Sequence, residues 1–174
     1  MHRTAIGAHV ALALALVTSA GALAQYEPVE SDTVAHPAHI HIGLCPIPDK
    51  IVGPLADVSA IVGVTIGAAS GIPVEGSSST VDLALSDLVA ADHAVVVHLA
   101  HEQMATLIAC GDVGGHMRSA TQLVIGLGPV DGSGYSGIAL LTDRGDGATT
   151  VDVFIAHSGA EPVVPDGTPG GRNY

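Results

Sequence analysis

The chain has 174 residues, with 5 basic and 17 acidic side chains, which gives a formal net charge of −12 at pH 7. An acidic surface without a Lys/Arg cluster repels nucleic acid and anionic lipid, so we expect neither as a partner. Because the chain has no Trp, one Phe and three Tyr, its core must consist mainly of Val, Ile, Leu and Ala, which favours strands over helices.

Residues 1–24 have the pattern of a secretory signal peptide. A positively charged start precedes a run of small apolar residues, which ends in an A-x-A-type cleavage site, Ala22-Leu23-Ala24. A membrane anchor is the alternative, but a membrane span needs about 20 strongly apolar residues and this run is shorter and rich in Ala. We therefore expect a secreted or periplasmic protein, without a membrane partner after removal of the signal. The removal takes away one Arg and no acidic residue.

The two cysteines of the chain are Cys45 and Cys110. Export would place them in an oxidising compartment, where a disulfide is the default. A disulfide that closes the long loop between the two cysteines would stabilise the fold by roughly 4 kcal/mol on the chain-entropy model. The alternatives are two free thiols, or Cys45 as a soft copper ligand.

The rest of the chain predicts about eight short strands in one domain, residues 35–157. A polar, acidic leader at 25–34 precedes this domain, and a Pro/Gly-rich, disordered tail at 158–174 follows it. Strands are predicted at Ala38–Gly43, Val58–Ile66, Thr80–Leu85, His93–Leu99, Ile108–Cys110, Gln122–Leu127, Tyr135–Leu141 and Thr149–Ala156. Loops are predicted at 45–54 and 67–79, and a short helical turn at 86–92. The pattern indicates an all-β antiparallel sandwich or barrel.

His39 and His41 form an H-x-H pair within the first predicted strand. Because side chains alternate along a strand, the two imidazoles point to the same face. Such a pair can bind copper, zinc, iron or nickel, and the alternative is a solvated surface pair. Two further histidines add to the metal-site hypothesis: His98 ends an apolar strand, and His36 precedes the pair by three residues.

Three segments resemble the Cu,Zn superoxide dismutase superfamily. HPAHIH at 36–41 is similar to its H-G-F-H-V-H motif, and AVVVH at 94–98 is similar to its V-V-V-H strand. ACGDV at 109–113 resembles the A-C-G-V-I segment that carries the family's second disulfide cysteine. The three segments occur in the family's order with similar spacing.

This resemblance implies a Greek-key β-barrel or sandwich with a copper site on it. The copper ligands would be His39, His41 and His98. His36 would be a structural histidine that bonds backbone groups, or else an extra ligand or a neighbour of the ligands. Cys45–Cys110 would be the disulfide that ties a loop to the barrel.

Residues 122–155 resemble the first three strands of the same family, with a G-P-V-x-G-type turn and a Gly-rich turn between them. This likeness implies a circular permutation, in which the family's first three strands come last in the chain. The alternative is that any alternating pair of β-hairpins has this pattern. The H-I-H element is also similar to the corresponding element of the chordin-type (CHRD) domain, which this likeness implies is a related family.

The chain departs from the family at two functional positions. The segment that follows Cys45, residues 46–58, has no histidine, so we expect neither a zinc site nor the histidine that bridges copper and zinc. Leu107 occupies the position of the family's active-site arginine, three residues before the second cysteine. Both departures argue against high dismutase activity.

Two residues after His98 are further candidates for the site. Glu102 lies where the family has an aspartate linking the metal sites, and a carboxylate there could orient a ligating imidazole. His101 is the best-placed extra ligand. Each has a simpler reading as a solvated surface residue.

The sequence thus predicts an exported, zinc-free copper-binding protein of superoxide dismutase-like type, with superoxide or the copper ion itself as its small partner. Dismutation of superoxide is the first hypothesis for its activity. Two alternatives stay open: a non-catalytic copper-binding or copper-buffering protein, and a structural extracellular β-module of CHRD type. The oligomeric state is not predicted.

Overall fold

Antiparallel strands are the main element of the computed structural model, which describes residues 35–64, 66–68 and 70–159. The strands are β1 (Ala38–Ile42), β2 (Ile51–Pro54), β3 (Ser59–Ala60), β4 (Glu75–Val81), β5 (His93–His98), β6 (Leu107–Asp112), β7 (Met117–Ser119), β8 (Gln122–Pro129), β9 (Tyr135–Asp143) and β10 (Thr149–His157). A short helix, α1 (Leu85–Ala90), and a 3-10 turn (His101–Gln103) complete the described elements. No helix in these residues is long and apolar enough to cross a membrane.

The strands form one sheet in the order β2-β1-β5-β6-β8-β9-β10-β4-β3, with β7 added to β8. Every strand pairing is antiparallel, which confirms the all-β class. One buried core is shared by strands from both ends of this order, because it contains Ile40 of β1, Val97 of β5, Leu141 of β9, Val153 of β10 and Val81 of β4. The sheet therefore curls around its inner face into a half-barrel.

The last three long strands, β8 to β10, lie in the middle of the sheet. β8 joins β6 through the pairs Ala109↔Pro129 and Cys110↔Gly128, and β10 joins β4 along seven residue pairs. An added Cβ at Gly137 of β9 would overlap the backbone carbonyl of Phe154 on β10, so glycine is required at this close approach. The segment predicted to be permuted thus closes the same sheet as the rest of the chain.

The predicted elements are confirmed at β1, β5, β6, β8, β9 and β10, and α1 lies where a helical turn was predicted. The predicted strand at 58–66 is wrong beyond Ala60, because β3 ends at this residue and the side chains of Val62, Val64 and Ile66 are largely exposed. The predicted loop at 45–54 contains β2, which pairs with β1. The described residues therefore contain ten strands instead of about eight.

The β4 strand was predicted to start five residues too late, at Thr80 instead of Glu75, and to end four residues too late, at Leu85 instead of Val81. Its serines, Ser77–Ser79, were assigned to a loop because serine is a poor strand former, yet each pairs with a residue of β10. The Ser79 hydroxyl also accepts a hydrogen bond from the amide of Ala56, at 2.7 Å. Tertiary pairing thus overrides the local preference of these residues.

The disulfide between Cys45 and Cys110 is present, with a Cα–Cα distance of 5.9 Å, as predicted. It ties the loop after β1 to the middle of β6, and the amide of Cys45 donates a hydrogen bond to Asp112, at 2.8 Å. Neither cysteine is free, which excludes the thiol and soft-ligand alternatives. The predicted signal peptide, the leader and residues 160–174 of the tail lie outside the described residues.

Candidate metal centre

β1 and β5 are neighbours in the sheet, and together they carry all three histidines that the sequence predicts as copper ligands. His39 lies opposite Val96, and His41 lies opposite Ala94. The inner core takes the alternate residues of both strands. Because side chains alternate along a strand, His39, His41 and His98 are therefore on the outer face of the sheet.

These residues form what we call the three-histidine cluster. Each imidazole offers one nitrogen, and these three nitrogens all lie within 4.8 Å of one another. The ring centroids are 6.0 Å apart for His39 and His41, 5.2 Å for His39 and His98, and 5.6 Å for His41 and His98. Since metal–nitrogen bonds are about 2.0–2.1 Å long, small side-chain rotations suffice to bring all three nitrogens onto one ion. No other group of three or more such ligands occurs in the described residues.

The hydrogen bonds of the cluster leave nitrogens without a protein partner. His41 donates its Nδ1 proton to the carbonyl of Asp49 at 2.7 Å, so the neutral form of this ring offers Nε2 as its acceptor. His41 Nε2, His39 Nδ1 and both ring nitrogens of His98 are buried and have no partner at hydrogen-bond distance and angle, although the backbone of Met104 lies close enough to the His98 ring to raise its pKa. Buried polar atoms are normally satisfied, so the convergence of three such rings fits a bound cation.

Two of the three imidazoles, His98 and His39, are shifted toward the neutral form that can bind a metal. Burial, together with the smaller effect of the neighbouring His39, lowers the pKa of the His98 imidazole to about 4, against the opposing effect of the Met104 backbone. Burial also lowers the pKa of His39, with a second contribution from His41. Since only the neutral imidazole binds a metal, these shifts favour binding at neutral pH.

The outer face around the cluster is apolar on one side and open on the other. A small buried cluster of Ala94, Val96, Cys110 and Val130 covers the sheet, and Leu107 packs against it. His41 and His98 are buried, at 7% and 3% exposure, whereas His39 is only partly buried. Access to the cluster is therefore from the side of His39.

His101 and Glu102 are not in the cluster. His101 is largely exposed, and its Nε2 lies 2.7 Å from a carboxylate oxygen of Asp57. This hydrogen bond raises the pKa of His101. Glu102 is exposed on the 3-10 turn and contributes only a nearby negative charge to His101. The pair of His101 and Asp57 lies close enough to His39 to act on its charge.

His36 also lies outside the cluster. It is buried, and its Nδ1 donates a hydrogen bond to the carbonyl of Leu99 at 2.8 Å. Its Nε2 contacts a carboxylate oxygen of Glu75 at 3.3 Å. This arrangement agrees with a histidine that bonds the backbone, and it leaves His36 without a lone pair directed at the cluster.

Three residues around the site were not predicted from the sequence. Asp49 accepts the hydrogen bond of His41 through its backbone carbonyl. Any residue would supply this carbonyl, so the residue type at position 49 does not indicate the contact. Asp57 and Glu75 reach histidines 44 and 39 positions away in the chain, and only the pairing of strands brings them there.

No family model, no curated protein and no solved structure matches this chain. The likeness to the Cu,Zn superoxide dismutase superfamily therefore rests on the three short segments and stays a hypothesis. The structure establishes an antiparallel half-barrel with a disulfide and a three-histidine cluster on its outer face.

Proposed function

We propose that this protein is an exported copper-binding protein of superoxide dismutase-like type, which holds one copper ion with His39, His41 and His98. The observation that carries the proposal is the convergence of three mostly buried imidazoles whose inward nitrogens have no hydrogen-bond partner. A surface pair of solvated histidines would not have this geometry. The disulfide supports export, since such bonds persist in oxidising compartments.

Copper is the ion that this ligand set favours. The cluster offers imidazole nitrogens alone, because both cysteines are in the disulfide and no carboxylate belongs to the group. Imidazole ligands suit copper, zinc, iron and nickel, and Cu²⁺ has the highest intrinsic affinity among these divalent ions.

A bound copper ion would supply one-electron redox chemistry at this position. The chain would supply three neutral ligands, exclude water on the side of the apolar cluster and leave access beside His39. We propose superoxide as the substrate, oxidised to oxygen in one half-reaction and reduced to peroxide in the other. This substrate fits a redox-active ion that is held at the surface with an open side.

Copper binding without turnover is the second candidate, and a specific observation favours it. Leu107 packs into an apolar cluster at the position where the resembled family has a cationic side chain. The chain as a whole carries a net charge of −12, which repels an anion such as superoxide. On this reading the site stores or delivers copper. A structural module of CHRD type would bind no copper at these histidines.

A copper titration followed by a dismutation assay tests the proposal. The protein is loaded with one equivalent of Cu²⁺, freed of excess ion, and assayed against superoxide beside His116→Ala, which removes an exposed histidine outside the cluster. Stoichiometric copper with activity in both proteins supports the enzyme. Stoichiometric copper without activity supports the storage function, and failure to retain copper overturns the proposal.

A further inference from the structure

His36, the buried histidine outside the cluster, connects a carboxylate on β4 with the end of β5. Its two ring nitrogens have different partners, the carbonyl of Leu99 at 2.8 Å and the carboxylate of Glu75 at 3.3 Å. Because a carbonyl can only accept, Nδ1 carries a proton and Nε2 faces Glu75. The imidazole is thus hydrogen-bonded at Nδ1, and at Nε2 it is in ion-pair contact with Glu75 without a hydrogen bond.

The contact lies where the two ends of the curled sheet meet. β1 and β4 are separated by five strands in the sheet order. Yet His36 and Val58, which immediately precedes β3, exchange backbone hydrogen bonds of 2.9 and 2.8 Å. β3 in turn pairs with β4, where Ala60 lies opposite Glu75. The backbone hydrogen bonds between His36 and Val58, together with the pairing of β3 and β4, thus hold the side chain of Glu75 close to His36.

The other end of the connection holds the backbone around a predicted copper ligand. The amide of His98 donates to the carbonyl of Pro37 at 2.8 Å, and the carbonyl of the next residue, Leu99, accepts from His36. The pairing of β5 with β6 shifts register between Val97 and His98, so the ladder is irregular at this ligand although it continues to Leu99. His36 and Pro37 are therefore hydrogen-bonded to the backbone of β5 and the residue after it, on both sides of the His98 α-carbon.

We propose that Glu75 is a positioning residue of the metal site, which acts through His36 and the Leu99 carbonyl to set the orientation of His98. The inference rests on the proposed copper site. The Glu75 side chain is only 25% exposed, and a carboxylate in such a place is unfavourable unless it has a partner, which here is His36. Outer partners of metal ligands fix the ring orientation in this way.

Three substitutions of Glu75 and one matched control test the proposal. Glu75→Ala removes the contact with His36, Glu75→Asp shortens it, and Glu75→Gln keeps a hydrogen-bonding group of the same shape. The control is Glu102→Ala, which removes an exposed carboxylate from the 3-10 turn just after Leu99. The first readout is the ¹⁵N NMR signal of the His98 ring in metal-free protein. The second comprises the electron paramagnetic resonance (EPR) spectrum and the affinity of bound Cu²⁺.

We expect Glu75→Ala to shift the His98 ring signals, alter the Cu²⁺ spectrum and weaken copper binding about tenfold, the lower end of the range for outer partners of ligands. Glu75→Asp should give a smaller change of the same kind. If Glu75→Ala does not fold, the Glu75→Asp variant serves as the test. Glu75→Gln should restore the parent signals. Glu102→Ala should match the parent throughout.

Parent-like His98 signals in folded Glu75→Ala or Glu75→Asp would overturn the positioning role, and so would an equal shift in Glu102→Ala. The metal-free readout separates this inference from the proposed function. If the parent protein binds no copper while the His98 ring still responds to Glu75, the copper proposal fails and Glu75 remains a residue that positions His98.

Discussion

The three-histidine cluster and His36, a buried histidine outside it, differ in the partners of their ring nitrogens. In the three-histidine cluster on β1 and β5, the nitrogens that face one another have no hydrogen-bond partner. His36 lies between Glu75 and the Leu99 carbonyl, and its ring packs edge-on against Tyr135 at 5.2 Å. His41, His98 and His36 are all buried, so burial alone does not distinguish a proposed metal ligand from a structural histidine. The proposed copper site rests instead on the unsatisfied nitrogens of the three-histidine cluster.

The same distinction explains why His101 is not a ligand in this arrangement. Its Nε2 is bonded to Asp57, and the ring is exposed, so neither burial nor unsatisfied nitrogens indicate a bound ion. The comparison predicts that substitutions should separate into those that abolish copper binding, those that change its strength and those that leave it unaffected. The following predictions run from the largest expected effect to the smallest.

Loss of one ligand from the H-x-H pair should have the largest effect. His39→Ala and His41→Ala are each expected to abolish tight, stoichiometric copper binding, because two remaining imidazoles cannot form the three-coordinate site. The fold should persist, since both side chains are on the outer face, away from the main core. Equilibrium dialysis with Cu²⁺ and circular dichroism measure both effects. Copper retention equal to the parent's in both variants would show that the site is assigned wrongly.

Removal of the disulfide should have the next largest effect. Cys45→Ser together with Cys110→Ser is expected to lower the free energy of unfolding by up to roughly 4 kcal/mol, because the unfolded chain loses a long-loop constraint. Thermal unfolding of the metal-free double variant measures this loss. The strands β8 to β10 pair regularly without it, so their amide protons should stay protected from exchange. An unchanged melting temperature would contradict the prediction.

Acid should destabilise the metal-free protein through His98. Its pKa is about 4 in the folded state against an ordinary value of 6.5. As the pH falls from about 6.5 to 4, the unfolded state therefore takes up a proton that the folded state does not, and stability falls with pH. Denaturant titrations across this window should show a shallower decline in His98→Gln than in the parent. An equal decline in both would exclude His98 as a source.

Disruption of the exposed pair should have the smallest effect. Asp57→Asn is expected to lower the pKa of His101 toward its ordinary value, since the carboxylate is what raises it. Copper affinity should change by less than the loss expected for Glu75→Ala, because exposed ion pairs contribute little. NMR titration of His101 and copper competition measure the two quantities. A loss of copper binding as complete as in His39→Ala would place Asp57 or His101 in the site.

The sequence predicted most of the strands, and it named the three histidines that the fold brings together, but it did not predict the residues that contact the histidines of the site. The apolar and alternating patterns of the sequence predicted β1, β5, β9 and β10. The spacing of two residues between His39 and His41 predicted that both side chains lie on one face of the sheet. β2 was missed because prolines and an acidic residue interrupt its surroundings, although pairing with β1 makes it a strand.

Glu75 was out of reach of sequence reasoning for a different reason. Its contact with His36 depends on how the sheet curls, and no local pattern encodes that curvature. Spacing and resemblance thus suffice to propose the three histidines of the cluster as ligands. The network that orients them emerges only from the tertiary fold.

The central claim is that three imidazoles of one chain hold one copper ion. Pulsed EPR of the Cu²⁺-loaded protein, with ¹⁵N-labelled histidine, counts the imidazole ligands directly, and His98→Ala provides the reference. The account predicts three coordinated imidazoles in the parent and two at most in His98→Ala, where binding is weakened. Fewer than three in the parent, or the same count in His98→Ala as in the parent, would contradict it.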